Sequence, residues 1–178
     1  MKEHSNNESV RGFSLVELLI VVVVIGILAA IAIPNLLASR RAANEGSAIS
    51  DLRMLHGAQL TYASSLGHGQ YAGDSSGAAN GVMLAQLGAA GVIDSLVASG
   101  IKSGHNFSGL KVDPTASAAA SFCVRAVPIN ASGVLSTGEH NVAIALEGVL
   151  YRGDAADPAT AGCSIVSGAA VITMGSPF

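Results

Sequence analysis

A single carboxylate, that of Glu17, lies inside an apolar run that spans residues 13–33. An ionised side chain in such a segment costs roughly 2.5–3.5 kcal/mol on membrane-insertion scales, so it persists only where it has a partner and a role. Arg11 and Gly12 stand directly before the run, and Phe13 opens it. Glu17 is therefore the first candidate for a functional residue.

Patterns that carry catalysis are missing from the sequence. It contains no G-x-S-x-G, no P-loop, no H-E-x-x-H and no dinucleotide-binding fingerprint. The histidines lack the spacing of metal ligands, and Asp154 and Asp157 supply too few oxygens for a calcium site by themselves, so they indicate a solvated turn. We predict that the chain is not an enzyme and binds no metal or cofactor.

One long helix is predicted to present these N-terminal residues. Residues 13–37 are apolar on every face, as in a helix surrounded by lipid. Residues 38–65 instead carry charges on one side and a recurring apolar face on the other, formed by Ala48, Leu52, Leu55, Ala58 and Tyr62. The pattern predicts a membrane-embedded first half and a second half that packs on a globular region, residues 66–178.

The globular region is predicted to contain a small antiparallel sheet. A glycine-rich loop over residues 67–81 follows the long helix, and short helices are expected at 82–87 and 92–98. Extended segments are expected at 101–110, 122–127, 141–146, 149–152 and 170–174, with Glu147-Gly148 as a hairpin turn. The fold class is therefore α+β.

The segment Arg11-Gly12-Phe13, followed by Glu17 and the apolar run, resembles the type IV prepilin signature. The resemblance implies a pilin-like fold and a leader, residues 1–12, that is cut off between Gly12 and Phe13. It also implies N-methylation of Phe13 and a role for Glu17 in assembly. An ordinary secretory signal cut after Ala30-Ile31-Ala32 is the rival interpretation, but it leaves Glu17 without a purpose.

The same resemblance implies the partners and the location of the protein. The precursor is expected in the inner membrane, with its body outside the cytoplasm, and later in a cell-surface filament. Its partners would be copies of itself, a prepilin peptidase, and an assembly platform served by a separate ATPase. A type IV pilus subunit is the favoured function. A type II secretion pseudopilin and a minor pilin acting as adhesin or DNA-binding module are the alternatives.

Two helix-weakening residues, Gly26 and Pro34, lie within the apolar run. Proline removes one helical hydrogen bond and glycine weakens the helix locally, so the plain interpretation is a slight kink with small-residue packing. In filaments of the family that the chain resembles, the stretch between such a glycine and proline loses its helical form. We favour this second interpretation for Gly26 and Pro34.

The two cysteines, Cys123 and Cys163, are far apart and are not part of a C-x-x-C motif. If the body lies outside the cytoplasm, as the resemblance implies, a disulfide is the leading interpretation. If the body is not exported, two buried thiols are expected instead.

Charge argues against a nucleic-acid partner. Lys and Arg number 9 against 12 Asp and Glu, which gives a net charge of −3 and no bulk attraction to polyanions. Arg40-Arg41 directly follows the apolar segment without neighbouring aromatic residues. This pair is better explained as an interfacial anchor, or as a partner for carboxylates of adjacent subunits.

Overall fold

The computed structural model describes residues 12–75, 79–116, 119–155, 163–166, 169–172 and 176–177. The chain divides into two compact units, Met1–Leu36, here called the apolar unit, and Leu37–Phe178, here called the body. The helices are α1 (Leu15–Ser65), α2 (Val82–Ala89) and α3 (Ser95–Ala98). The strands are β1 (Ile101–Lys102), β2 (His105–Val112), β3 (Ser121–Pro128), β4 (His140–Ala145), β5 (Leu150–Asp154), β6 (Cys163–Val166), β7 (Ala169–Ile172) and β8 (Ser176–Pro177).

The main sheet is antiparallel, with strand order β1-β2-β3-β4-β5-β8, and β6 pairs with β7 in a separate two-stranded sheet. Because side chains alternate along a strand, successive residues of β3 face opposite sides of the sheet. Phe122, Val124 and Ala126 join the core that includes α1. Cys123 lies on the other face, beside its register partners Leu110 and Ala145.

The main core lies between the second half of α1 and the sheet. Ala48, Leu52 and Leu55 of α1 are fully buried, Ala58 is nearly so, and Tyr62 packs against the same cluster. The predicted apolar face of the helix is thus confirmed. The architecture confirms the predicted pilin-like α+β fold, a long N-terminal helix with an antiparallel sheet on its second half.

Glu45 forms the densest polar contact between α1 and the sheet. Its Oε1 accepts hydrogen bonds from the backbone N–H groups of Glu139 and His140, and the His140 Nδ1 lies 3.2 Å from each carboxylate oxygen. Burial by itself would raise the pKa of Glu45. The hydrogen bonds from Glu139 and His140, with the attraction of the His140 ring, outweigh burial and lower this pKa.

Further polar side chains of α1 hold segments that are distant in sequence. Asp51 is almost completely buried, and its Oδ1 lies 2.7 Å from the Lys102 Nζ of β1. Gln59 is fully buried and makes two hydrogen bonds to the backbone of Ala72, one donated and one accepted, each 2.9 Å long. These bonds fix the start of the sheet and the loop after α1 against one helix.

The disulfide predicted between Cys123 and Cys163 is present. Cys123 is fully buried on the face of the sheet that points away from α1, and Cys163 opens β6. Leu110 and Val112 of β2 pack in the same small cluster. The bridge therefore ties the two-stranded sheet to the centre of the main sheet.

Several element boundaries differ from the sequence predictions. The single extended segment expected at 101–110 is instead two antiparallel strands, β1 and β2, because Ser103 and Gly104, both with positive φ, reverse the chain between them. Helix α1 begins at Leu15 rather than residue 13. Helix α3 begins only at Ser95, because Asp94 is extended, with ψ of 148°. The expected final strand at 170–174 is β7, which pairs with β6 instead of the main sheet. Ser176–Pro177 pairs with β5 instead, and residues 173–174 lie outside the described residues.

The Glu45 contact predicts a pH-dependent contribution to stability. Because folding lowers the pKa of Glu45 below its ordinary value of 4.5, the contribution is complete above that pH and is lost as the pH falls through the lowered value. Glu45→Gln keeps one acceptor oxygen but removes the charge, so it should destabilise the body by about 1–2 kcal/mol at pH 7. The difference in unfolding free energy between the wild-type chain and Glu45→Gln should disappear in acid, where Glu45 is protonated.

Chemical denaturation of the full chain in detergent micelles, followed by circular dichroism between pH 7 and pH 3, measures this difference. Glu147→Gln is the matched control, because Glu147 is exposed and makes no ion pair or hydrogen bond with the described residues. A destabilisation by Glu45→Gln that stays constant across this pH range would contradict the assignment.

The disulfide predicts a second stability effect. The bridge closes a separation of 40 residues, which corresponds to about 4 kcal/mol in the chain-entropy model. The double variant Cys123→Ala with Cys163→Ala should lose about this amount in thermal or chemical unfolding. Non-reducing mass spectrometry of the wild-type chain should show one internal bridge, and alkylation of both thiols in the native protein would refute it.

Candidate processing and assembly site

Ser14 is the N-cap of α1. Its carbonyl accepts the first helical hydrogen bond, from the Leu18 N–H at 3.2 Å, and its hydroxyl accepts one from the Val16 N–H at 3.3 Å. Serine is among the preferred residues at this position, because its oxygen satisfies an N–H group that has no partner within the helix. This cap explains why α1 begins at Leu15.

Glu17 completes the cap from the other direction. Its Oε2 accepts a hydrogen bond from the Ser14 N–H at 2.9 Å. The two residues thus form a capping box, in which the N-cap side chain and the carboxylate three positions later each satisfy a backbone donor of the helix start. The four-residue pattern Ser-x-x-Glu that marks a capping box was present in the sequence, and our sequence analysis missed it.

The capping box gives Glu17 a partner within its own uncut chain. Only Oε2 is engaged, since Oε1 makes no hydrogen bond with any residue in the described part of the chain. The nitrogen of Phe13 is an amide as long as residue 12 is attached, so it offers no positive charge to Glu17. Pairing of Glu17 with an amine at Phe13 therefore concerns the cut chain and stays a prediction.

Gly12 and Phe13 precede the helix and are exposed. A Cβ atom added at Gly12 would meet nothing within 4 Å, and the Phe13 side chain is 74% exposed. The peptide bond between the two residues therefore lies in a non-helical segment that is open to another protein. Residues 1–11 of the predicted leader lie outside the described residues.

The apolar unit buries none of its large hydrophobic side chains. From Phe13 to Leu36 their exposed fractions run from 47% to 79%. An 18-residue window of α1 has a mean hydropathy of 3.1 and no burial, so this helix is long and apolar enough to cross a membrane. An N-terminal signal sequence has the same two properties. A continuous apolar surface of this size marks a region that contacts lipid or other proteins.

Gly26 and Pro34 lie inside α1, which is helical through both residues. A Cβ atom at Gly26 would meet nothing within 4 Å, so no close contact with the described residues requires glycine there. Pro34 has no N–H to donate to the preceding turn, and beside it the Asn35 Nδ2 donates to the Ile31 carbonyl at 3.1 Å. The predicted loss of helical form concerns assembled filaments and stays a prediction.

The other candidates of the sequence analysis do not come together as a site. Among the residues that the structure describes, no group of three or more His, Cys, Asp or Glu side chains is arranged to hold a metal. Asp157 lies outside these residues. Arg41 pairs with Glu139 of its own chain at 2.8 Å, so a partner on an adjacent subunit is not required for it.

Comparison with known proteins identifies the N-terminal segment. A family model for the prokaryotic N-terminal methylation motif matches residues 9–33. The type IV major pilin of Myxococcus xanthus is 48% identical over 52 residues, and the type II secretion system core protein G of Klebsiella pneumoniae is 40% identical over 52 residues. The type IV wide pilus major component of Thermus thermophilus is 63% identical over 35 residues. No solved structure matches the chain.

These matches cover only part of each protein. They span 29%, 29% and 20% of this chain, and 24%, 37% and 27% of the three relatives in the order given. The chain therefore carries the prepilin-type N-terminal motif, as its sequence predicts. Type IV pilins and a type II secretion core protein both resemble it.

Proposed function

We propose that this protein is a structural subunit of a type IV pilus, which polymerises through α1 after its leader is removed. The observation that carries the proposal is the apolar unit, which carries the prepilin-type motif and whose large side chains are not covered by any residue that the structure describes. A second copy of the same helix offers a matching apolar surface. Polymerisation would thus bury, between neighbouring copies, the apolar surface that a single copy exposes.

In this proposal the uncut chain is anchored in the inner membrane. A helix of this length and hydropathy is stable in lipid, because nearly all of its backbone polar groups, apart from the carbonyl opposite Pro34 and the helix ends, are satisfied within the helix. A prepilin peptidase would cut between Gly12 and Phe13, and N-methylation of Phe13 would follow. An assembly platform with a separate ATPase would supply the work of extracting subunits, since the chain has no nucleotide-binding motif.

Glu17 would guide the addition of each subunit. The cut leaves a cationic amine on Phe13, and the free Oε1 of Glu17 can accept it while Oε2 keeps the capping bond. A charge in an apolar filament core is costly unless it is paired, so the amine of one subunit would be drawn to the Glu17 of a neighbour. A pair formed between subunits would fix their axial register.

A pseudopilin of a type II secretion system is the second candidate, since one of the relatives is a core protein of such a system. Deleting the gene separates the two functions. A pilus subunit is needed for long surface filaments, which can be sheared off and imaged. A pseudopilin is needed for the export of folded proteins, and its loss would leave sheared filaments unchanged.

Cleavage provides the first test of the proposal. Gly12→Leu should leave a full-length precursor, because the peptidase must approach the backbone closely and a side chain obstructs it. The same change cannot act through the fold, since the space around Gly12 is open. Gly46→Leu, at another open glycine, is the matched control and should be cut normally.

Intact-mass measurement and N-terminal sequencing read out this test. The wild-type and Gly46→Leu chains should begin at Phe13, which leaves 166 of the 178 residues. A mature chain that begins after Ala32 would show an ordinary signal peptide instead, and would overturn the proposal.

The charge of Glu17 provides the second test. Glu17→Gln keeps an oxygen for the Ser14 N–H but loses the attraction to an amine, so cleavage should proceed while filament yield falls at least about tenfold, the effect of 1.4 kcal/mol on one equilibrium. Ser14→Ala is the control for helix capping. If Ser14→Ala gave the same defect, the role of Glu17 would be local, and wild-type yield from cut Glu17→Gln subunits would exclude a register role.

A further inference from the structure

The most exposed apolar side chains of the body are in one loop. The β3–β4 loop, residues 129–139, carries Val134 at 71% and Leu135 at 78% exposure. Other large hydrophobic side chains described in the body reach at most 55%, at Ile101. Single exposed hydrophobic residues are common on protein surfaces, but two adjacent ones at this level need a closer look.

Hydrogen bonds join the two ends of the loop to each other and to the turn between β1 and β2. The Thr137 N–H donates to the Asn130 carbonyl at 2.9 Å, and the Asn130 N–H donates to the Thr137 hydroxyl at 3.2 Å. Thr137 also donates from its hydroxyl to the Gly104 carbonyl at 2.7 Å. A Cβ on Gly104 would come within 2.7 Å of the Thr137 Cβ, so glycine is needed for this contact. Val134 and Leu135 are therefore presented on a fixed support.

The direction of β4 shows at which end of the body this loop lies. The strand starts at His140, which contacts Glu45 of α1, and the turn after it reaches His56, whose Nε2 is 3.1 Å from the Leu146 carbonyl. Strand β4 thus runs along α1 in the same direction as the helix. The loop that precedes β4 lies at the opposite end from His56, at the end of the body where α1 enters from Leu37.

The base of the loop is attached to α1 near the start of the body. The Asn44 Nδ2 donates to the Thr137 carbonyl at 3.0 Å, and Asn44 follows Leu37 by seven residues, about 10 Å along a helix. Val134 and Leu135 are the central residues of a turn closed by the Ser136 N–H, which donates to the Gly133 carbonyl at 3.1 Å, so both lie close to Thr137. The headgroup layer of a bilayer is about 5–8 Å thick on each side. The base of the loop at Thr137 is therefore attached to α1 about 10 Å along the helix from Leu37, and the tip lies next to this base.

The composition of the loop fits the same surroundings. Residues 129–138 contain no Asp, Glu, Lys, Arg or His, and the carboxylate of Glu139, the last residue of the loop, pairs with Arg41 at 2.8 Å. Insertion of the tip alone would therefore require the desolvation of no charged side chain. Interfacial segments bury apolar side chains to about 5–10 Å at the boundary between headgroups and acyl chains. Val134 and Leu135 would gain this burial.

We propose that the β3–β4 loop rests on the phospholipid bilayer before assembly, with Val134 and Leu135 inserted at the interface. The proposal rests on the proposed function, in which α1 spans the membrane up to about Leu37. The loop then acts as a second contact beside the helix and restricts the tilt of the body over the membrane. A subunit that leaves for the filament would have to give up this contact.

The absence of tryptophan from the sequence makes a direct test possible. Leu135→Trp introduces a single fluorophore at the loop tip of the full uncut chain, reconstituted in phosphatidylcholine–phosphatidylglycerol vesicles. Lipids that carry a nitroxide near the headgroup should quench it several-fold more strongly than Val149→Trp. Val149 is the matched control, since it is exposed in the β4–β5 turn at the other end of the body. Val134→Trp provides a second position should the first variant fold poorly.

A third variant separates failure of this inference from failure of the proposed function. Ile27→Trp, in the apolar unit, should be quenched by lipids labelled deep in the acyl chain. If Ile27→Trp is quenched and Leu135→Trp behaves like Val149→Trp, the loop contact is overturned and the membrane span stands. If Ile27→Trp is not quenched either, both are overturned. Shielding of Leu135→Trp that depends on protein density and not on labelled lipid would identify a second copy as the partner, which also overturns the lipid contact.

Discussion

The exposure of the apolar unit, which no other part of the described chain covers, is the constraint on which the rest of this structure depends. Its large side chains are about half exposed or more, and no residue of the 18-residue apolar window is buried. Water is a poor solvent for such a surface, so the helix has to be in lipid or against other proteins. A precursor in the membrane and a subunit in a filament are two ways to meet the same requirement.

The second half of the same helix packs against the body. It buries one apolar face and uses polar side chains, among them Glu45, Asp51 and Gln59, to hold segments of the body. Each of these contacts reaches a segment that follows α1 in the chain, so the helix is the element on which the sheet and its loops are ordered. The hydrogen bonds of Glu45 hold the start of β4 against α1. The β3–β4 loop, which directly precedes β4, therefore lies near the start of the body.

Glu17 can have one role in the uncut chain and a second role after cleavage. In the uncut chain its carboxylate caps the helix through Ser14, which removes one of the unsatisfied donors at the helix start. The remaining oxygen keeps the residue available for a cation. Sequence reasoning identified the carboxylate through its cost in an apolar segment, but it looked for a charged partner and overlooked a neutral one three residues away.

The sequence by itself determined the features that depend on neighbouring residues. These are the apolar run with its carboxylate, the buried face of α1, the β4–β5 hairpin and the α+β class, all of which follow from periodicity and turn chemistry. Only the tertiary structure decided the partners of Glu45, Asp51 and Gln59, the pairing of β7 with β6, and the exposure of Leu135. Strand neighbours and buried polar contacts join residues that are distant in sequence. They are chosen by the packing of the whole body, which no local pattern encodes.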